Sequence, residues 1–155
     1  MAAINKNIND AEIKRESKIM VVDDDFDIAT LVKITLQKNG FENVFAFTKP
    51  SLALQHFKIN YPTYSLVITD IRMPEMNGFE FARSVSRIKP EIKVLLMTAF
   101  DTNDDTLLNM NTKYNNNIGG IIRKPISSAK LARMIITQIS VYYFSILFKD
   151  SKRYR

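Results

Sequence analysis

Three aspartates, a threonine and a lysine close a series of apolar runs. Asp23 and Asp24 end Ile19–Val22, Asp70 ends Leu66–Thr69, Thr98 ends Val94–Met97 and Lys124 ends Ile121–Arg123. The run to Asp70 passes at once into turn chemistry, Met73–Pro74–Glu75–Met76–Asn77–Gly78. A carboxylate so placed belongs at the C-terminal edge of a buried strand, where open α/β sheets keep their sites. If the strands are parallel, these side chains meet at one edge. Three carboxylates that close repel one another, which raises at least one pKa. A hard divalent cation resolves the repulsion, and an oxygen-only set suits Mg²⁺ or Mn²⁺.

The elements that must position them alternate. Strands are expected at Lys18–Asp23, Val44–Phe47, Ser65–Asp70, Ile92–Met97 and Ile118–Arg123. They are short and apolar on both faces, as parallel strands covered by helices are. Between them, Asp27–Asn39 carries Ile28, Leu31, Val32, Thr35 and Leu36 at helical spacing, closed by Asn39–Gly40. A second helix takes Thr48 as its N-cap with Pro50 in the first turn. A third opens on an Asn77/Glu80 capping box and ends before Lys89–Pro90. A weaker helix is expected from Asp101 to about Tyr114, and a last one from near Ser127. The alternation implies right-handed crossovers and a doubly wound α/β fold, with helices on both faces of a five-stranded parallel sheet.

The chain has 155 residues, 46 % of them hydrophobic and 25 % charged, which suits one ordinary globular domain. It has no cysteine, hence no disulfide framework or thiol chemistry. Residues 1–17 read as a polar N-terminal tail without a signal-peptide core. The net charge is +6, and Lys149–Arg155 alone carries +3 of it.

In order and spacing, Asp23–Asp24, Asp70 with Met73–Gly78, Thr98–Ala99 and Lys124–Pro125 resemble the response-regulator receiver domain of two-component signalling. The resemblance spans roughly Lys18 to Ser140. It implies a flavodoxin-like strand order 2-1-3-4-5 and a signalling domain in place of a turnover enzyme. Asp70 is then the phosphoacceptor, with Asp24 and Asp70 binding the metal directly, Asp23 acting mainly through water and the Arg72 backbone carbonyl a further ligand. Thr98, Ala99 and Lys124 would bind the phosphoryl group. The donor would be a histidine kinase or phosphotransfer protein and the output a downstream protein effector, all in the cytoplasm. Arg72 and Phe100 stand at positions that set the phosphoryl lifetime. Asp25 and Asp27 read as structural, Asp27 as a helix cap. His56, the one histidine, has no partner for metal binding or phosphotransfer.

Three features depart from the family pattern. Ile121 replaces the usual aromatic residue that works with Thr98 and the Lys124–Pro125 turn in conformational switching. Thr98 and Lys124 are 26 residues apart, and the asparagine-rich stretch Asn109–Asn117 supplies the excess length. The last helix carries two apolar surfaces. One is Leu131, Met134, Ile135, Ile139, Tyr142 and Ile146 around Gln138; the other is Ile136, Val141, Tyr143, Phe144, Leu147 and Phe148. Met134–Phe148 would span about 22 Å, short of a bilayer core of about 30 Å, so the expectation is an interface, such as a homodimer, in place of membrane contact. Residues 141–155 read as an extension of that helix with a basic tail, leaving no output domain after Arg155. A short tail without a reading motif gives no expectation of DNA binding. The competing readings are a degenerate receiver that binds partners without phosphorylation, and an aspartyl-phosphate phosphatase of the haloacid-dehalogenase type using Asp23 and Asp25.

Overall fold

The computed structural model describes residues 9–99, 105, 109, 112–113 and 118–151, without the side chains of 147–148 and 150–151. The strands are β1 (Lys18–Val22), β2 (Asn43–Phe47), β3 (Tyr64–Asp70), β4 (Lys93–Thr98) and β5 (Ile118–Arg123). The helices are α1 (Asp10–Glu16), α2 (Phe26–Lys38), α3 (Pro50–Asn60), α4 (Gly78–Ile88) and α5 (Ser128–Ser151), with a 3₁₀ turn at Tyr61–Thr63. All strand pairs are parallel, in the order β2-β1-β3-β4-β5. This is the flavodoxin-like doubly wound sheet expected from the sequence. Most of the helix expected over Asp101–Tyr114 lies outside the described residues, as do Phe100 and most of the asparagine-rich stretch.

Strand side chains alternate between two cores, because successive residues of a strand point to opposite faces. Ile19, Val21, Leu66, Ile68, Leu95, Met97 and Ile122 pack with α2 (Val32, Leu36) and α5 (Leu131, Ile135, Ile139). Met20, Val22, Val67, Val94 and Leu96 pack with α3 (Ala53, Phe57) and α4 (Phe79, Phe81, Ala82, Val85). Every residue of central strand β3 is buried. The sheet's C-terminal edge is thus held rigidly from both sides.

Local chemistry accounts for the element ends. Asn77 and Glu80 form the expected reciprocal capping box, and Asn39–Gly40 closes α2 with Gly40 at φ +95°, a conformation glycine adopts without penalty. Two caps differ from expectation. Asp25, not Asp27, caps α2, accepting from the N–H groups of Asp27 and Ile28. Lys49, not Thr48, precedes α3, with Pro50 at its first position and no side-chain cap.

The expected N-terminal tail includes a helix. Asn9 and Glu12 form a capping box at the start of α1, and Ile13 is buried in the cluster that contains Phe41, Ile135 and Ile139. α1 packs against α5. This packing takes up part of the second apolar surface of the last helix: Ile136 and Tyr143 rest on the same cluster, while Val141 and Phe144 stay exposed. Gln138, the polar residue in that helix, donates to the Gly119 carbonyl at 3.0 Å. A side chain at position 119 would collide with it. Among the described residues no helix is long and apolar enough to cross a membrane.

Candidate functional site

The parallel register aligns the strand ends. Asp70 pairs with Met97 across β3 and β4, and Thr98 pairs with Arg123 across β4 and β5. Backbone bonds carry the ladder into the loops: Asp23 N–H donates to the Phe47 carbonyl at 3.1 Å, Ile71 N–H to Met97 at 3.0 Å and Lys124 N–H to Thr98 at 2.8 Å. The peptide bond between Lys124 and Pro125 is cis.

Asp23, Asp24 and Asp70 converge, with one carboxylate oxygen of each within 4.8 Å of the others. Asp23 and Asp70 are buried and Asp24 is exposed. The two oxygens of Asp23 have separate duties: Oδ1 accepts the Asp25 N–H at 3.0 Å, and Oδ2 accepts from Lys124 Nζ at 2.8 Å. The same ammonium reaches Asp70 Oδ1 at 3.2 Å. Burial pushes the Asp70 pKa above the usual carboxylate range; Lys124 pulls it down, while Asp23 and Asp24 add to the rise. For Lys124, burial favours the neutral amine, but its hydrogen bond and charge pairing with Asp23, and its pairing with Asp70, outweigh this and raise its pKa. The two shifts agree: one ammonium stands among three acids, so the cluster carries excess negative charge that a divalent cation would offset. The all-oxygen donor set fits Mg²⁺.

Thr98 is buried at the end of β4, and Ala99 beside it is exposed. Arg72 is exposed just past Asp70. Ile121 turns toward the core formed with α3 and α4, where it is partly buried, so the position expected to be aromatic offers only apolar packing. Of the haloacid-dehalogenase pair, Asp25 serves as the cap of α2.

Two features of the site were missed in the sequence. Gly78 lies against the backbone of Asp70 so closely that a Cβ there would collide with the Asp70 carbonyl oxygen; the signal available was a glycine directly after the Asn77 cap. Beside the acids, Leu31, Thr35, Met97, Ala99, Lys124 and Leu131 help line a cleft of about 600 Å³. Its signal was in α2, where Leu31 and Ile34 exceed what one buried stripe can hold; Leu31 is 60 % exposed.

A profile of the response regulator receiver domain matches residues 19–136. The chain belongs to this family. The receiver is 34 % identical over 83 residues to the response regulator receiver protein CpdR of Brucella abortus, covering 54 % of this chain and 67 % of that one. It is 36 % identical over 86 residues to the transcriptional regulatory protein ZraR of Klebsiella oxytoca, covering 56 % of this chain and only 19 % of that relative. A receiver domain from Clostridium thermocellum superposes with a TM-score of 0.73 at 26 % identity, covering 83 % of this chain and 98 % of that one. The CheX–CheY complex with BeF₃ and Mg²⁺ from Borrelia burgdorferi gives 0.69 at 20 % identity, covering 78 % and 87 %. The receiver is therefore a two-component signalling domain with the acidic pocket of its family.

Proposed function

We propose that this receiver is phosphorylated on Asp70 by a histidine kinase or phosphotransfer protein, in a Mg²⁺-dependent reaction, and that the modification changes which protein effector it binds. One observation carries the reading: three carboxylates and one ammonium meet at the C-terminal edge of the sheet, with Asp70 in reach of Lys124 at 3.2 Å. Asp24, Asp70 and the Arg72 carbonyl would hold the ion, with Asp23 acting through water. Bound there, the ion supplies positive charge against the anionic oxygens of the phosphoryl group.

The chain's own residues do the rest. An Asp70 oxygen attacks phosphorus in line, the O–P bond forms as the P–N bond to the donor imidazole breaks, and the imidazole leaves with the electron pair and is protonated. Lys124, on a flexible stem, follows the developing charge as a point cation. The Thr98 hydroxyl and Ala99 N–H donate to phosphoryl oxygens. The exposed apolar face of α2 beside the cleft gives a protein donor a place to dock. Once the group is attached, its charge draws Thr98 and Lys124 toward it and shifts the population toward an active loop arrangement. Ile121 and Pro125 lie on that route, and packing at Ile121 replaces the aromatic rotamer of other receivers. The site of action is the cytoplasm. A homodimer through the last helix would use its exposed Val141 and Phe144.

The test is intact mass after incubation with acetyl phosphate and Mg²⁺. A gain of one phosphoryl group by the wild type, absent from Asp70→Asn and from a chelated sample, is expected. No gain in the wild type would leave a receiver that binds partners independently of phosphorylation.

A further inference from the structure

β1 ends at Val22 and α2 begins at Phe26, so Asp23, Asp24 and Asp25 make up the whole connection between them. Its two ends are fixed by different bonds. Asp23 N–H donates to the Phe47 carbonyl at 3.1 Å, which keeps that residue in the parallel ladder. At the other end, the Asp25 carboxylate accepts from the N–H groups of Asp27 at 2.9 Å and Ile28 at 3.2 Å. The Asp25 carbonyl accepts from Ala29 N–H at 3.0 Å, and Ala29 is buried, so this first turn of α2 is anchored in the core. Held there, Asp25 turns its own N–H back to Asp23 Oδ1, at 3.0 Å.

The consequence falls on the acids. With Oδ1 of Asp23 taken, Oδ2 is the oxygen that meets Lys124 Nζ at 2.8 Å. Asp23 is 1 % exposed, and a buried carboxylate keeps its orientation through the donors that face its oxygens. Asp24 sits between the two pinned residues. Its carboxylate reaches those of Asp23 and Asp70 from backbone that Asp25 helps to fix. Asp25 is itself exposed and stands outside the three converging acids. It meets them through a backbone N–H, not through its charge.

On the reading of this pocket as a Mg²⁺-dependent phosphorylation site, we propose that Asp25 is a positioning residue: by capping α2 it holds the Asp23 and Asp24 carboxylates in the arrangement that takes the cation. The effect is geometric. Asparagine caps a helix about as well as aspartate, and alanine caps poorly. Asp25→Asn and Asp25→Ala remove the same charge, so a difference between them reports the cap.

The test is titration of the unphosphorylated full chain with Mg²⁺, followed by amide NMR shifts, alongside phosphorylation from acetyl phosphate. Loss of a group that orients a metal ligand costs about 10–100-fold in metal affinity. Asp25→Ala is expected to bind Mg²⁺ roughly 10-fold or more weakly than the wild type, and Asp25→Asn to stay close to it. Glycine at this position costs a helix little stability but offers no side-chain acceptor, so Asp25→Gly should lose affinity while remaining folded. Ile13→Ala, a destabilising change in the packing of α1, should bind as the wild type does. Equal affinities of Asp25→Ala and Asp25→Asn overturn the proposal: if both are weak, the charge acts in place of the cap, and if both match the wild type, the acids hold themselves. A loss in Ile13→Ala as large as that in Asp25→Ala assigns the effect to stability and overturns it too. Each of these outcomes leaves the phosphorylation reading standing. A wild type that binds no Mg²⁺ and takes no phosphoryl group would remove that reading, and the role of Asp25 with it.

Discussion

A Cβ at position 78 would sit 3.0 Å from the Asp70 carbonyl carbon and from the Ile71 Cα, besides its collision with the Asp70 oxygen. The neighbours are backbone, so they cannot swing aside. Gly78 N–H also donates to the Ile71 carbonyl at 2.8 Å, which ties the start of α4 to the end of β3. Gly78→Ala must therefore displace the peptide that carries Asp70. Misplacement of a reacting group by about 1 Å costs on the order of 100-fold in rate, and overpacking about 1–3 kcal/mol of stability. The expected outcome is a folded variant that takes a phosphoryl group from acetyl phosphate 10- to 100-fold more slowly, roughly. A wild-type rate would show that Asp70 does not depend on this contact. His56 titrates among aromatic rings, outside the acidic cluster. Its ring lies 5.1 Å from Phe47, 5.8 Å from Tyr64 and 5.9 Å from Phe45. Its Nε2 is buried with no hydrogen-bond partner. Burial, then the Lys18 charge, holds its pKa below the ordinary histidine value, about 6.5. As pH falls below about 6.5, the unfolded chain binds a proton that the folded chain still refuses, so stability falls with pH in that window. Thermal midpoints of the wild type should decline from neutral pH toward pH ~5 more steeply than those of His56→Phe. Parallel curves for the two proteins would assign the decline to other groups.

At the scale of elements, Lys89 fastens the C-terminal half of α5. Its side chain follows α4 and is 5 % exposed. Nζ donates to the carbonyls of Tyr64 at 2.6 Å and Tyr61 at 3.2 Å, and to the Tyr142 hydroxyl at 2.7 Å. It also stands 4.9 Å from the centroid of the Tyr142 ring. Burial lowers the Lys89 pKa, with Glu91 opposing, so these acceptors are what keep an ammonium in place there. Tyr142→Phe keeps the ring contact and loses one bond, costing about 0.5–1.5 kcal/mol. Lys89→Met strands several buried acceptors at once and should cost more, about 2–3 kcal/mol. Urea unfolding of the two variants makes the comparison, and equal losses would mean that the carbonyl contacts contribute nothing. Four of the five strands, β1, β3, β4 and β5, were legible in the sequence because each is an apolar run that closes on a polar residue at the same edge. The site was legible for the same reason: Asp23, Asp70, Thr98 and Lys124 mark those ends. Much of the helical packing was not. α1 was hidden because its one buried side chain, Ile13, sits in a short charged segment with no apolar periodicity. The stripe drawn on α2 was too wide, since Ala29 takes the core position that Leu31 was given, and a small residue carries little weight in a periodicity. The partners of Lys89 lie 25 and 53 residues away in sequence, a distance no local pattern reaches.

For the whole molecule, the acidic pocket and the packing of α1 on α5 lie at opposite ends of one sheet. Asp23, Asp70, Thr98 and Lys124 occupy the C-terminal edge, where β1, β3 and β4 are paired on both sides and β5 on one. At the N-terminal edge, α1 and the C-terminal half of α5 form an added layer, mostly outside the span that matches the family. The hydrogen bonds that tie Asp23 to Asp25 and Lys124, and Lys124 to Asp70, do not involve α1. Ile13→Ala tests whether the two ends are coupled. It removes buried methyl groups from the point where α1 meets α5, at a cost of about 2 kcal/mol, while leaving every hydrogen bond of the acidic pocket intact. The urea midpoint should fall by the corresponding amount. The phosphorylation rate from acetyl phosphate, measured well below the thermal midpoint, should stay at the wild-type level. A slower rate in the folded variant would mean that the N-terminal layer reaches the acids through the sheet, and that the extensions regulate the receiver as well as steady it.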